Sequence, residues 1–177
     1  MPDFQQILNI VKGISAEAAA DEKSSPKAVV VPAANLLKVC HELNQNPELY
    51  FDMLSCLTGI DNGPQANTME VVYNVYSIPF NMSLAVKVIL PRENPAVDSV
   101  MSVWRTADWH EREVYDMMGI TFDGHPDLRR ILMWEGYPFF PLRKDFPLEG
   151  RPSDMPDVAF TGVAPLEGGP FVTCAGG

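Results

Sequence analysis

The side chains best suited to chemistry fall in one stretch, Trp109 to Pro147, which reads WHEREVYDMMGITFDGHPDLRRILMWEGYPFFPLRKDFP. Three chemistries can be tested on it. The first is zinc hydrolysis. His110-Glu111 opens like the H-E-x-x-H of zinc proteases, in which two histidines one helical turn apart hold the metal and the glutamate is the base. The position of the second histidine is Val114, so the ligand pair is missing. The second is acid–base work by Glu111 or Glu113 with His125. The two glutamates are two residues apart, which points them to different faces of a helix, so they form no carboxylate pair on one face. The reading preferred here is a charged helix face that pairs with arginines of the following turn, with His125 of the Gly124-His125-Pro126 turn serving nearby carboxylates or backbone groups. Within the helix, Asp108–Arg112 and Arg112–Asp116 are both spaced i, i+4. Exposed pairs of that kind contribute only ~0.3–0.5 kcal/mol each. Helix support is too weak a reason for so many charges, so Arg112 is expected to be partly buried among its carboxylates, where losing one partner is costly. The third chemistry is recognition. Arg129, Arg130, Arg143 and Lys144 form a basic cluster among Tyr137, Phe139, Phe140 and Phe146. Arginine interleaved with aromatics marks the cores of protein interfaces more than phosphate sites.

Other chemistries lack their residues. No G-x-G-x-x-G, P-loop or G-x-S-x-G occurs. Cys40, Cys56 and Cys174 are odd in number and widely spaced, without a C-x-x-C, which fits neither a disulfide framework nor a zinc or iron–sulfur ligand set. Cys40 and Cys56 lie in apolar patterns and read as buried structural thiols. His41, His110 and His125 are equally scattered. A formal net charge of -10 argues against nucleic acid or an anionic membrane as the main partner, because phosphates need clustered Lys and Arg. No apolar run approaches the ~18 residues of a membrane span, and the N-terminus, with Asp3 in an amphipathic pattern, does not read as a signal peptide. A reducing compartment such as the cytoplasm is expected.

The elements that must position the charged stretch can be read along the chain. Phe4, Ile7, Leu8, Val11 and Ile14 recur at helical spacing, which predicts a helix over 3–14. Residues 15–27 read as a polar loop, and Ala28 to Val31 as a strand. Leu36, Leu37, Val39, Cys40 and Leu43 predict a second helix stopped at Asn46-Pro47. Residues 49–60 fit either strand or helix and end in a Gly59–Pro64 turn cluster. Thr68 to Ile78 and Ser83 to Leu90 are β-branched and partly alternating, which predicts a hairpin. Pro95 is expected to open a further helix with Val97, Val100, Met101 and Trp104 on one face. Thr106 or Asp108 would cap the helix carrying the charges, with Asp108 and Glu111 as a capping box and Gly119 ending it. Ile120 to Phe122 reads as a short strand. The expected fold is α+β: a two-layer domain of a mostly antiparallel sheet with helices packed on it, over 1–133, followed by an extended Pro/Gly-rich arm over 134–177. The arm is too apolar for a solvated tail and is expected to lie in a groove of its own domain or of a partner.

Glu111-Arg112-Glu113, Asp116-Met117-Met118, His125, and Arg129 with Ile131-Leu132, together with PLRKDFPLEG from Pro141 to Gly150, resemble the signature of the respiratory complex I 30 kDa subunit family, the C component of bacterial NADH:quinone oxidoreductase. The resemblance is close over about 107–150 and looser over about 28–106. It implies a non-catalytic subunit of the peripheral arm of a proton-translocating NADH:quinone oxidoreductase, at the cytoplasmic face of the inner membrane, attached indirectly through the complex. It implies no cofactor in this chain, with FMN, iron–sulfur clusters and quinone on other subunits. The implied partners are the quinone-site subunit (49 kDa type, the D component) and neighbouring iron–sulfur subunits. By the same resemblance Glu111, Arg112, Glu113, Asp116, His125, Arg129, Arg130, Arg143, Lys144 and Asp145 are structural and interface residues, and none is catalytic. The equivalent subunit of a membrane-bound hydrogenase, an F420H2 dehydrogenase or a ferredoxin-fed complex is the alternative. The ending after Gly150 departs from the acidic, aromatic-rich ends common in NADH-linked members.

Overall fold

A computed structural model of the chain describes residues 2–134 and 136–148. Helix α1 (Phe4–Ile14) starts at a capping box, in which the Asp3 carboxylate accepts from the Gln6 amide at 2.8 Å and the Gln6 side chain accepts from the Asp3 amide at 2.9 Å. It buries Ile7, Leu8 and Val11, the stripe its spacing requires. Strand β1 (Ala19–Asp21) follows, in place of the expected polar loop. It pairs antiparallel with β2 (Ala28–Val30). The cause lies outside the segment: Lys87, on a later strand, reaches the Asp21 carboxylate at 2.7 Å and fixes this outer edge. A single 3₁₀ turn over Ala33–Asn35 leads into α2 (Leu36–Gln45), which buries Leu36, Val39, Cys40 and Leu43.

The ambiguous stretch is a strand, β3 (Met53–Asp61), paired with β4 (Thr68–Ser77), which in turn forms an uninterrupted ten-pair hairpin with β5 (Met82–Pro91). Burial along β4 alternates at every residue, so one face of the sheet is core and the other is wetter. The sheet order is β1-β2-β5-β4-β3, antiparallel except for β2 against β5. Helices α1 and α2 supply the opposing layer of the core, with Leu8, Val11, Val39 and Leu43 among the residues that pack with Val71, Tyr73 and Val86 of the sheet.

One expected helix is absent. Residues 96–98 form β6 (Ala96–Asp98), parallel to β7 (Thr121–Asp123), and turns follow it. Val97, Val100 and Trp104 are all buried, as a helical face would demand. Val97, however, packs from a strand, and the other two are fixed by the turn. Trp104 Nε1 donates to the Phe51 carbonyl at 2.9 Å, and the Val100 amide donates to Glu111 at 2.8 Å. Spacings of three and four residues arise here from a strand plus a turn.

Helix α3 (Ala107–Met118) crosses beside β3, and Gly59 makes the approach possible. A Cβ there would stand 2.6 Å from Met118 Sδ and 2.9 Å from Val114 Cγ1. The expected capping box does not form: Thr106 is the N-cap, and its hydroxyl donates to the Leu54 carbonyl at 3.3 Å instead of accepting from a helix amide. Asp108 falls in the first turn and Glu111 points into the core. We predict that Gly59→Ala destabilises the fold by about 1–3 kcal/mol, because a packed interface must shift. A urea unfolding midpoint equal to that of the wild type would contradict this.

Candidate interface site

The C-terminal end of α3 is where the charged stretch comes together. A helix leaves its last four carbonyls without intrahelical donors. Here each is met. The Gly119 amide donates to the Tyr115 carbonyl at 2.9 Å, Arg130 Nη1 to that of Asp116 at 2.8 Å, the Leu142 amide to that of Met117 at 3.1 Å and Arg143 Nε to that of Met118 at 2.7 Å. Two of the four donors are cations, the charge that the negative end of a helix dipole favours. Gly119 ends the helix at φ +73°, as expected, and a second constraint holds it: a Cβ would lie 2.6 Å from the Phe140 ring. The guanidinium carbons of Arg130 and Arg143 lie 5.0 and 4.8 Å from the centre of that ring.

The Asp116 carboxylate is fully buried and organises the loop after β7. Its Oδ2 accepts from three successive amides, Ile131 at 2.9 Å, Leu132 at 2.6 Å and Met133 at 2.9 Å, while Oδ1 accepts from Arg130 Nη1 at 2.7 Å. Burial pushes this carboxyl up, but the amides of Met133 and Leu132, then Arg130 and the Ile131 amide, outweigh it and hold it below the ordinary aspartate value. Arg130 also donates from Nη2 to the Phe139 carbonyl at 3.1 Å. One arginine therefore ties the helix end to the start of the arm.

A second carboxylate holds the arm further along. Asp61, at the end of β3 and 3% exposed, is gripped in a fork by Arg92 at 2.9 and 3.0 Å and accepts from the amides of Gly63 at 2.9 Å and Lys144 at 2.8 Å. The Arg92 hydrogen bonds lead in holding its carboxyl far below the usual range; burial opposes them, and the two amides add to the lowering. Arg92 then bridges to Asp145 at 2.6 Å. Neither Asp61 nor Arg92 is among the residues singled out from the sequence. The available signal is period two: Leu57, Gly59 and Asp61 share the inward face of β3, and an inward carboxylate needs a partner.

A third cluster lies at the other end of α3. Glu111 is wholly buried, and its two oxygens accept from Ser99 Oγ at 2.6 Å and the Val100 amide at 2.8 Å. Burial raises its carboxyl to about 7, against the lowering effect of those two bonds. The His125 ring is also fully buried. Its Nδ1 accepts from the Asp127 amide at 3.1 Å, so the proton sits on Nε2, which faces the Asp108 carbonyl at 3.3 Å, Asp108 Oδ1 at 3.4 Å and Glu111 Oε2 at 3.9 Å. These groups hold the turn between β6 and α3 against the turn after β7.

The expected clamp of Asp108 and Asp116 on Arg112 is not formed: those carboxylates face His125 and Arg130 instead. Arg112 is nonetheless 7% exposed, stacked 5.0 Å from the Trp109 ring centre and donating to the Arg129 carbonyl at 3.4 Å. The Arg129 side chain is exposed and pairs with Asp127 at 3.0 Å. Glu113 is exposed, and Lys144 engages through its backbone. Cys40 is buried, with its thiol pushed up by burial and then by Glu111. Cys56, expected to be buried, is only partly so and lines a cleft of ≈ 210 Å³ with Gly59, Glu113 and Leu142. Cys174 lies outside the described residues. No group of three or more His, Cys, Asp or Glu side chains among the described residues is arranged to hold a metal.

A buried acid–base pair and a 136–148 segment bonded to its own domain are what the site presents. Similarity to known proteins places the chain in a family. Residues 29–152 match the family described as respiratory-chain NADH dehydrogenase, 30 Kd subunit, and the chain belongs to that family. It is thereby a subunit of an enzyme complex of the complex I type. It is 46% identical over 144 residues to the C 2 subunit of the NADH-quinone oxidoreductase of Rhizobium meliloti (strain 1021), covering 75% of this chain and 79% of the relative. To the corresponding C-type subunit of Geobacter metallireducens it is 43% identical, covering 69% and 75%. Among solved structures it is similar to a trypsin-resistant fragment (1-134) of Nqo5, with TM-score 0.58 and 28% identity over 70% of this chain and 98% of that one. A chain of an archaeal membrane-bound sulfane sulfur reductase shares the fold at TM-score 0.68 and 19% identity, covering 81% and 85%.

Two predictions test these clusters. Asp116→Asn puts an amide N–H among four donors and should cost about 3–5 kcal/mol in chemical denaturation, the scale of a broken buried pair; a loss under ~1 kcal/mol would contradict the account. Glu111 gives the second. With its carboxyl raised from 4.5 to about 7, the native state holds a proton that the unfolded state has lost. Its contribution to stability is therefore full below pH 4.5 and is lost as pH rises towards 7. In paired pH–stability curves, the wild type should fall relative to Glu111→Gln across that window. Parallel curves would contradict the assignment.

Proposed function

We propose that the chain is the non-catalytic scaffold subunit of a proton-translocating NADH:quinone oxidoreductase, holding the quinone-site subunit and the iron–sulfur subunits in register during electron transfer from NADH to quinone. The observation that carries the reading is the burial of Glu111 and His125. The groups best suited to acid–base catalysis have fully buried side chains, so substrate has no route to them, and their bonds go to turns of the same domain. FMN, clusters and quinone belong in this reading to other subunits, and the chain sits at the cytoplasmic face of the inner membrane through its partners. No helix among the described residues is long and apolar enough to cross a membrane. Similarity to the C-type subunits of NADH-quinone oxidoreductase in several bacteria supports an NADH-fed complex over a related hydrogenase or ferredoxin-fed one. The 134–177 segment is the docking arm in this reading, with residues 136–148 as a root packed on the home domain; residues 149–177 lie outside the described residues. The trypsin-resistant fragment of Nqo5 supports such a division.

The tagged chain, purified from detergent-solubilised membranes of its own host, should bring the quinone-site subunit with it in near-equal amount. The isolated chain should show no NADH or quinone turnover. Recovery without the quinone-site subunit would overturn the scaffold reading.

A further inference from the structure

Strand β3 is an edge of the five-stranded sheet: among the described residues β4 pairs with one side of it and no strand with the other. The Thr106 hydroxyl reaches the Leu54 carbonyl, so the start of α3 covers the first residues of the strand. Beyond the ladder with β4, no hydrogen bond reaches the backbone of residues 55–60 among the described residues. A cleft of ≈ 210 Å³ opens here between β3 and α3. Residues 56–59 line one wall and His110, Val114 and Met117 the other, and Leu142 of the arm also lines it. Successive side chains of a strand point to opposite faces, so four consecutive residues on one wall mean that the cleft looks onto the main-chain edge. An open edge of this length is a template for another strand, and folded proteins usually cover it.

The arm arrives where it could supply that cover. Its Lys144 amide is held at 2.8 Å by Asp61, the last residue of β3, and Asp145 is held at 2.6 Å by Arg92. The chain after Leu148 therefore sets out from near the far end of β3. Turned back along the edge it runs antiparallel, the more stable pairing. Residues 149–177 follow, whereas six residues of edge need only ~20 Å of extended chain. Within them 158–166 carry no charge, and Val158, Phe160, Thr161 and Val163 are strand-forming types between Pro156 and Pro165. A cleft of this size takes one large apolar side chain, and Phe160 is the aromatic of that run. We propose that in the free chain residues 158–163 pair antiparallel with the open edge of β3 and seat Phe160 in the cleft against Val114 and Met117. Being on the same chain, the segment meets the edge at an effective concentration of order millimolar, which favours it over a second copy. The inference concerns the chain before assembly and does not rest on the scaffold reading.

Cross-linking of the full-length chain tests it, with Ala159→Cys and Cys174→Ser introduced and a short bismaleimide as the reagent. Cys56 in the cleft is the native partner, and Cys40 is fully buried. None of the substitutions touches β3 or α3. The expected result is a link within one chain between Cys56 and the introduced thiol, located by peptide mapping. Its yield should fall about tenfold when Phe160→Asp is added, because the burial of one large apolar side chain is lost. No link, or a yield that Phe160→Asp leaves unchanged, would overturn the proposal. A link found only between two chains would make the occupant a second copy and would overturn it too. Each of these outcomes leaves the scaffold reading standing.

Discussion

The structure around the charged stretch depends on one constraint, the burial of the Asp116 carboxylate at the last turn of α3. A carboxylate removed from water must be compensated by hydrogen bonds or it takes up a proton. Three successive backbone amides and Arg130 supply them. Because the amides belong to consecutive residues, satisfying the charge fixes the path of the loop over residues 131–133. With that path fixed, Arg130 reaches both the helix carbonyl and Phe139, Phe140 settles over Gly119, and Leu142 and Arg143 arrive at the remaining carbonyls. The arm is thus the cap of the helix it follows. Helix end, loop and arm root are one cooperative unit. Asp61 and Arg92 repeat the device at the far end of the root.

This arrangement gives the concentrated charge of the stretch a structural use. Exposed ion pairs along α3 would contribute little. Buried ones add specificity of geometry, since an arm built of prolines and aromatics has no backbone ladder of its own to set its direction. Ring contacts from Trp134 to Tyr137 at 4.5 Å and from Tyr137 to Phe139 at 5.7 Å continue the ordering along the arm. In the proposed scaffold role, a root held on its own domain presents a fixed surface rather than a flexible chain, which lowers the ordering cost of docking.

Much of this is legible from the residues. The periods of α1, α2 and the β4–β5 hairpin are unambiguous, Gly119 announces the helix end, and the failed zinc spacing at Val114 disposes of the obvious enzyme. The remainder is hidden for physical reasons. β1 carries no strand signal because Lys87 and the neighbouring strand impose it. Val97, Val100 and Trp104 mimic a helix because a strand followed by a turn buries the same positions. The ion-pair partners differ from those expected for one reason: i, i+4 spacing names neighbours on a helix, whereas Asp116 and Asp108 turn to Arg130 and His125 brought in by tertiary contacts. Asp61 is masked by a turn cluster whose glycines and asparagine carry the stronger local signal.

The central claim is that Asp116 builds the arm root before any partner arrives. Amide hydrogen exchange on the full-length chain, alone in solution, reads it directly at Ile131, Leu132 and Met133. The account predicts that these three amides exchange slowly, protected to the level of the β4–β5 core. Exchange at the rate of an unstructured peptide would contradict it.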